Sequence, residues 1–272
     1  MARLSTTDQL ADLRRTYTGE NLSQAVPAVR DGEPLPDATT EAQRQLEAKV
    51  LLAACTAASV VQLMPPASIT TPTHVVRTVE PGEAVRLHLA PRALGPLLFE
   101  LLPRTEAGYG MGVAGLVHRQ HRRSAELTTG DASIVLAGVD QDEWDRGMRY
   151  VRWMHEFRGV EYADGGGVRD EVAKAATGSA LLRRVHLWHD ACWLRALPLG
   201  DGWFVEWPGG PSEADIRAKL ADPRFGTRHD VSLQRSEPPA EDVDRAMRTY
   251  PWPDEFVSAV TAGEPDEGSA RR

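Results

Sequence analysis

Hydrophobic and polar positions follow two regimes along the chain. Up to residue 64 the apolar positions recur every three to four residues, the period of a helix. Leu10 and Leu13 form a first short stripe, with Ser5 to Thr7 as cap candidates and Gly19 as a stop. A short helix over NLSQAVPAVRDG is expected to be interrupted or ended by Pro27. The clearest stripe follows: Leu46, Val50, Ala53, Ala57, Val60 and Met64. Thr40 and Gln43 have capping-box spacing ahead of it, and Pro65-Pro66 should end it. Residues 1–66 therefore read as an N-terminal helical unit, and PPASITTPT as a hinge.

From His74 the period changes, and a pattern of strand, tight turn, strand and helix is met three times. The first is HVVRTV, a Pro81-Gly82 turn, AVRLHLA, then PRALGPLLFELL. The second is GLVHRQHRRSAEL, a turn at Gly130-Asp131, SIVLAG, then a helix from Asp140. The third is VHLWHDACWLRAL, a turn over Gly200-Asp201-Gly202, WFVEW, then a helix from Ser212. Gly, Pro and Asp supply the turn chemistry. No residue identity links the copies, so the repeat is one of structure only. A further helix is expected over 168–182, and another near EDVDRAMRTY. The predicted fold is α+β: the helical unit, then three β-hairpin–helix units over 74–260. They form a mostly antiparallel sheet with helices on one face, and 261–272 is an expected disordered tail.

Composition changes the picture modestly. The chain has 272 residues, 42% hydrophobic and 26% charged, enough to build a core. Its net charge of −8 disfavours a general nucleic-acid or anionic-membrane binder. Two cysteines, Cys55 and Cys192, make no disulfide framework. The N-terminal residues carry no apolar stretch of the signal-peptide kind, and no run is long enough to span a membrane. A cytoplasmic protein is the expectation. Lysine occurs only at 49, 174 and 219, an arginine bias that suggests a GC-rich bacterial genome.

Candidate chemistry centres on VHLWHDACW, residues 185–193. As a strand it sets His186, Trp188, Asp190 and Cys192 on one face, with His186 and Asp190 about 13 Å apart, too far to share an ion. As a helix it would set His186, His189 and Asp190 on one surface, a spacing that suits a metal. The flanking turn and the aromatic WFVEW favour the strand, so no metal and no cofactor is assigned. An enzyme reading would use His186, His189, Asp190 and Cys192, with Glu206 across the hairpin.

GMGVAG matches G-x-G-x-x-G, but a helix precedes it and a strand follows, the reverse of a dinucleotide site. DQDEWD has the character of a helix start, where carboxylates favour the dipole. His155 lies on a stripe with Trp144, Met148 and Val151 and reads as a core histidine. HRQHRR concentrates His118, Arg119, His121, Arg122 and Arg123, either as a solvated edge strand or as a site for phosphates, an acidic partner or the chain's own carboxylates. Trp188, Trp193, Trp203 and Trp207 are four of the seven tryptophans. Packed inside they are core; exposed they would mark a docking surface.

No catalytic constellation stands out, and none of the motifs identifies a family. The leading expectation is a non-catalytic interaction protein that binds a protein partner through a sheet face or the Trp-rich hairpin. The enzyme around His186, His189 and Asp190 is the alternative, and a nucleic-acid accessory protein using residues 118–123 is the third reading.

Overall fold

The computed structural model describes residues 5–31, 35–62, 75–90, 92–162 and 171–237. The front of the chain is helical: α1 (Thr6–Thr18), α2 (Leu22–Asp31) and α3 (Glu41–Gln62). Ser5 caps α1 by accepting the Asp8 amide at 3.1 Å, while the Asp8 carboxylate accepts from Ser5 in return. Gly19 closes α1 with φ +74, a left-handed turn that glycine enters without strain. Contrary to expectation, α2 runs through Pro27 without a break. Thr40 caps α3 through the Gln43 amide at 3.2 Å, but the capping box is only half formed. The Gln43 side chain turns away to meet the backbone of Ser133, accepting from its N–H at 3.0 Å and donating to its C=O at 2.8 Å.

The elements that follow are β1 (Val76–Glu80), β2 (Val85–Leu89), α4 (Leu94–Leu101), β3 (Arg104–Glu106), β4 (Tyr109–Met111), β5 (Val117–His121), β6 (Ser124–Thr129), β7 (Ala132–Ala137), α5 (Gln141–Arg158) and β8 (Glu161–Tyr162). Then come α6 (Ala175–Leu182), a 3-10 turn (Val185–Trp188), β9 (Arg195–Leu199), β10 (Gly202–Pro208), α7 (Glu213–Leu220) and β11 (Val231–Ser236). The fold is α+β. Its hairpins do not share one sheet: the first two belong to a five-stranded sheet ordered β1-β2-β7-β6-β5, while the third forms a separate sheet, β11-β10-β9. A third small sheet is ordered β4-β3-β8. Most pairs are antiparallel, but β2–β7 and β10–β11 are parallel. The parallel β10–β11 pair arises because α7 carries the chain back, as parallel pairing requires.

Two expected strands are corrected. Residues 117–127 bend back at Arg122-Arg123, so the second unit is a three-stranded meander with Arg119 on one strand and the arginine pair in its turn. Residues 185–193 are neither strand nor continuous helix. After α6 they make one 3-10 turn and an irregular run, and only Arg195–Leu199 is extended. The helix expected over 168–182 is shorter: 171–174 are not helical, and α6 begins after Lys174, whose φ is +53. The hinge, the helix near EDVDRAMRTY and the tail 261–272 lie outside the described residues.

Strand alternation places Val85, Leu87, Ala125, Leu127, Ile134 and Leu136 in the core. One buried cluster runs from Tyr17 to Phe225 and includes the front helices, since Leu46, Val50 and Leu51 of α3 belong to it. At the α3–α6 crossing, a Cβ on Gly178 would lie 2.4 Å from the Trp203 ring and 2.8 Å from Ala48, so only glycine lets the backbones approach this closely. Beside it lies a fully buried charge pair. Arg183 donates to both carboxylate oxygens of Glu47, at 2.8 and 2.7 Å. Ser179 and Gln43 also donate to that carboxylate, at 2.6 and 2.8 Å. Arg183 further reaches the carbonyls of Pro36 and Gly82.

Removing one partner of such a pair leaves the other charged and buried, a loss of about 3–5 kcal/mol. Glu47→Ala is expected to lose that much in urea denaturation, whereas Glu47→Leu with Arg183→Met should lose far less. Equal losses in the two variants would show that packing, not charge, dominates here.

Candidate functional site

The 3-10 turn brings some of the predicted catalytic residues together and puts them to structural use. The rings of His186 and His189 stack at 4.4 Å. His189 meets the His186 carbonyl through Nδ1 at 2.9 Å and Asp190 through Nε2 at 3.0 Å, so both its nitrogens are engaged. His186 Nδ1 donates to the carbonyl of Arg77 at 3.1 Å. The end of α1 closes on the same ring, where a Cβ on Gly19 would come within 2.7 Å of Nδ1. Arg77 is the bulged residue of β1, skipped between the pairs Val76↔Leu89 and Thr78↔His88. His186 thus fastens the turn to the outer edge of the five-stranded sheet.

Cys192 is exposed, and its backbone N–H donates to Pro208 at 2.9 Å. Glu206 lies on β10 opposite Arg195, 3.8 Å from its guanidinium, and is not engaged with the histidine pair. Among the described residues, no three His, Cys, Asp or Glu side chains are grouped to hold a metal.

The tryptophans resolve the other way. Trp188, Trp203 and Trp207 are at most 1% exposed, and Trp193 is half-buried. Trp188 meets Trp207 edge to face at 6.1 Å. Trp203 donates to the Ala173 and Lys174 carbonyls, and Trp207 to Pro211. Their burial corrects the expectation of a Trp-rich docking surface: three of the four indoles build the core and are closed to a partner.

The basic segment is different, because it faces solvent. β5 is an edge strand, and Val117, His118, Arg119, His121, Arg122 and Arg123 are all exposed. The cross-strand partners of His118 and Gln120 are the buried Leu127 and Ala125, so these two side chains share the inner face. His118 stacks on Trp144 at 4.5 Å, and Gln120 donates to the Val139 carbonyl at 3.0 Å. Val117, Arg119 and His121 point to the outer, solvated face. Glu126 sits opposite Arg119 but inclines to His121, 3.6 Å away. Among the described residues, Arg119, Arg122 and Arg123 meet no carboxylate, in contrast to Arg14, Arg104 and Arg183, which are buried and paired.

The remaining motifs take structural roles. GMGVAG leaves β4 for a turn, with Gly112 at φ +79 and no helix after it. Asp140 caps α5 by accepting the Glu143 amide at 2.9 Å. His155 is buried edge-on against Phe99 at 5.7 Å. Sequence reasoning missed the buried charges Glu20, Glu47, Arg183 and Arg184. A faint signal existed, since Arg183-Arg184 interrupt the apolar stretches SALL and VHLW.

No protein-family model, no curated protein and no solved structure matches this chain. Function therefore rests on geometry alone.

Burial, then the neighbouring His189, holds His186 below the ordinary histidine range, against the opposing pull of the Arg77 carbonyl and Asp190. Burial and then Arg104 do the same to His155, against Glu106. The unfolded chain therefore binds protons below about pH 6.5 that the folded chain refuses. The stabilising contribution of these rings is complete above that pH and falls away as the solution is acidified through it. Urea midpoints should drop between about pH 7.5 and about pH 5.5, and His186→Asn should shrink the drop; an unchanged drop removes His186 as a cause.

The thiols should also differ. Burial pushes the Cys55 thiol up to about 12, whereas Cys192 is exposed. A thiol-specific chromophore should label the exposed Cys192 promptly in the native protein, and the half-buried Cys55, with its raised thiol, more slowly. Equal labelling rates for the two thiols would contradict this difference.

Proposed function

We propose that this protein binds a protein partner without catalysis, holding an acidic segment along β5 and the Arg122-Arg123 turn. The observation that carries the reading is the exposure of Arg119, Arg122 and Arg123 on a sheet edge, with no carboxylate partner among the described residues. In a chain of net charge −8, such a cluster attracts an acidic ligand locally while the overall field repels polyanions. His118 and His121 share β5 with Arg119. The residues proposed for catalysis are better explained as fasteners, because His186 ties the 3-10 turn to Arg77 of β1 and His189 closes the turn on the His186 carbonyl. No helix among the described residues is long and apolar enough to cross a membrane.

Charge on an edge strand also discourages self-association, so the test must separate defence from binding. A fluorescein-labelled peptide rich in Asp and Glu is titrated with wild type and with Arg119→Glu/Arg122→Glu/Arg123→Glu, reading anisotropy. Wild type should bind, more weakly as salt rises from about 50 to about 200 mM. The charge-reversed variant should bind at least about tenfold more weakly. Equal affinity of the two proteins, or tighter binding to duplex DNA than to the peptide, overturns the proposal.

A further inference from the structure

The two long edges of the five-stranded sheet are treated differently. β1 carries a bulge at Arg77, its outward carbonyl there is taken by His186, and the Thr78 side-chain hydroxyl donates to the Gly19 carbonyl at 3.3 Å. β5 has no bulge, pairing with β6 over five consecutive residues. His121 and Ser124 face each other across a two-residue turn, which makes them a hydrogen-bonded pair. The alternation then turns the backbone N–H and C=O groups of Arg119 and Val117 toward β6, and those of His118 and Gln120 outward. The β1 edge is bulged and engaged at Arg77; the β5 edge presents donors and acceptors in ladder spacing.

We propose that β5 accepts an extended acidic segment of another protein as a sixth strand of this sheet. The inference rests on the acidic-partner reading above and adds how the partner binds. The outward groups of His118 and Gln120 need a partner that both donates and accepts, which a peptide backbone does and a phosphodiester, an acceptor only, does not. Side chains of the added strand alternate between faces. On the outer face they meet Arg119 and His121 and the arginine turn, which selects Asp or Glu. On the inner face they lie beside the His118–Trp144 stack, which selects apolar residues. The recognised pattern is therefore acidic and apolar in alternation. A second copy of this chain is the poorer occupant, because pairing β5 with itself sets arginines of like charge against one another.

The probe is a fluorescein-labelled peptide of alternating Glu and Val, about nine residues long, a length suited to one strand. Two twins carry N-methyl groups on alternate residues, one set on the Glu and the other on the Val, so that the donors of one backbone edge are lost in each. Of these twins, one should keep the parent's affinity and the other should lose at least about tenfold, because only one edge faces β5. Hydrogen exchange gives a second readout: the amides of His118 and Gln120 should slow on adding the parent peptide. If both twins bind like the parent and neither amide slows, strand addition is overturned while the acidic-partner reading survives. Absence of binding by all three peptides overturns both. A dimer in sedimentation with both amides already slow also overturns the proposal, in favour of self-pairing.

Discussion

The Glu47 carboxylate is the point on which the molecule is organised. It sits in α3 with no exposure to water, and it accepts hydrogen bonds from Arg183, Ser179 and Gln43. A buried carboxylate is costly unless its charge is compensated and its lone pairs are filled. Here one residue binds α3 to the end of α6, and Arg183 extends the network to the carbonyls of Pro36 and Gly82. Gln43, next on the same face of α3, carries the network into β7 by pairing with the Ser133 backbone. Hydrophobic burial supplies the bulk of the driving force but has no directional preference. The polar network does, so it specifies how α3, α6 and the strand lie against one another.

Arg184, next in sequence, extends the same logic. It donates to the Phe225 and Gly226 carbonyls at 2.7 Å each and meets Asp37 at 2.8 Å. Two neighbouring arginines thereby tie the segment before α3, the junction after α6 and the loop after α7. The 3-10 turn begins immediately after them and delivers Trp188 to the core and His186 to the β1 edge. The concentration of polar and aromatic residues at 185–193 is thus explained by a chain crossing between two sheets, filling the core on one side and closing an edge on the other.

This division bears on function. The β1 edge is bulged and engaged at Arg77, while the β5 edge stays regular, exposed and positively charged. On the proposed reading, three arginines that meet no carboxylate among the described residues, Arg119 on the edge strand and Arg122-Arg123 in its turn, would offer an oppositely charged chain both ladder hydrogen bonds and charge attraction.

Local properties were legible in the sequence. The caps at Ser5, Asp140 and Ser212, the turns at Gly130-Asp131 and Gly200-Asp201, and the alternation in β2, β7 and β10 depend on residues within a few positions of one another. The α+β class and the exposure of the basic strand followed from those short-range patterns. The sequence alone could not distribute the hairpins between two sheets or show whether residues 185–193 extend or coil. Nor could it decide whether Trp188, Trp203 and Trp207 face in or out. Those outcomes depend on contacts between distant residues: Glu47 with Arg183, His186 with Arg77, and Trp203 with Gly178. A histidine beside an aspartate reads the same whether it awaits a metal or fastens a strand edge, and only the neighbours brought by the folded chain determine which nitrogens remain available.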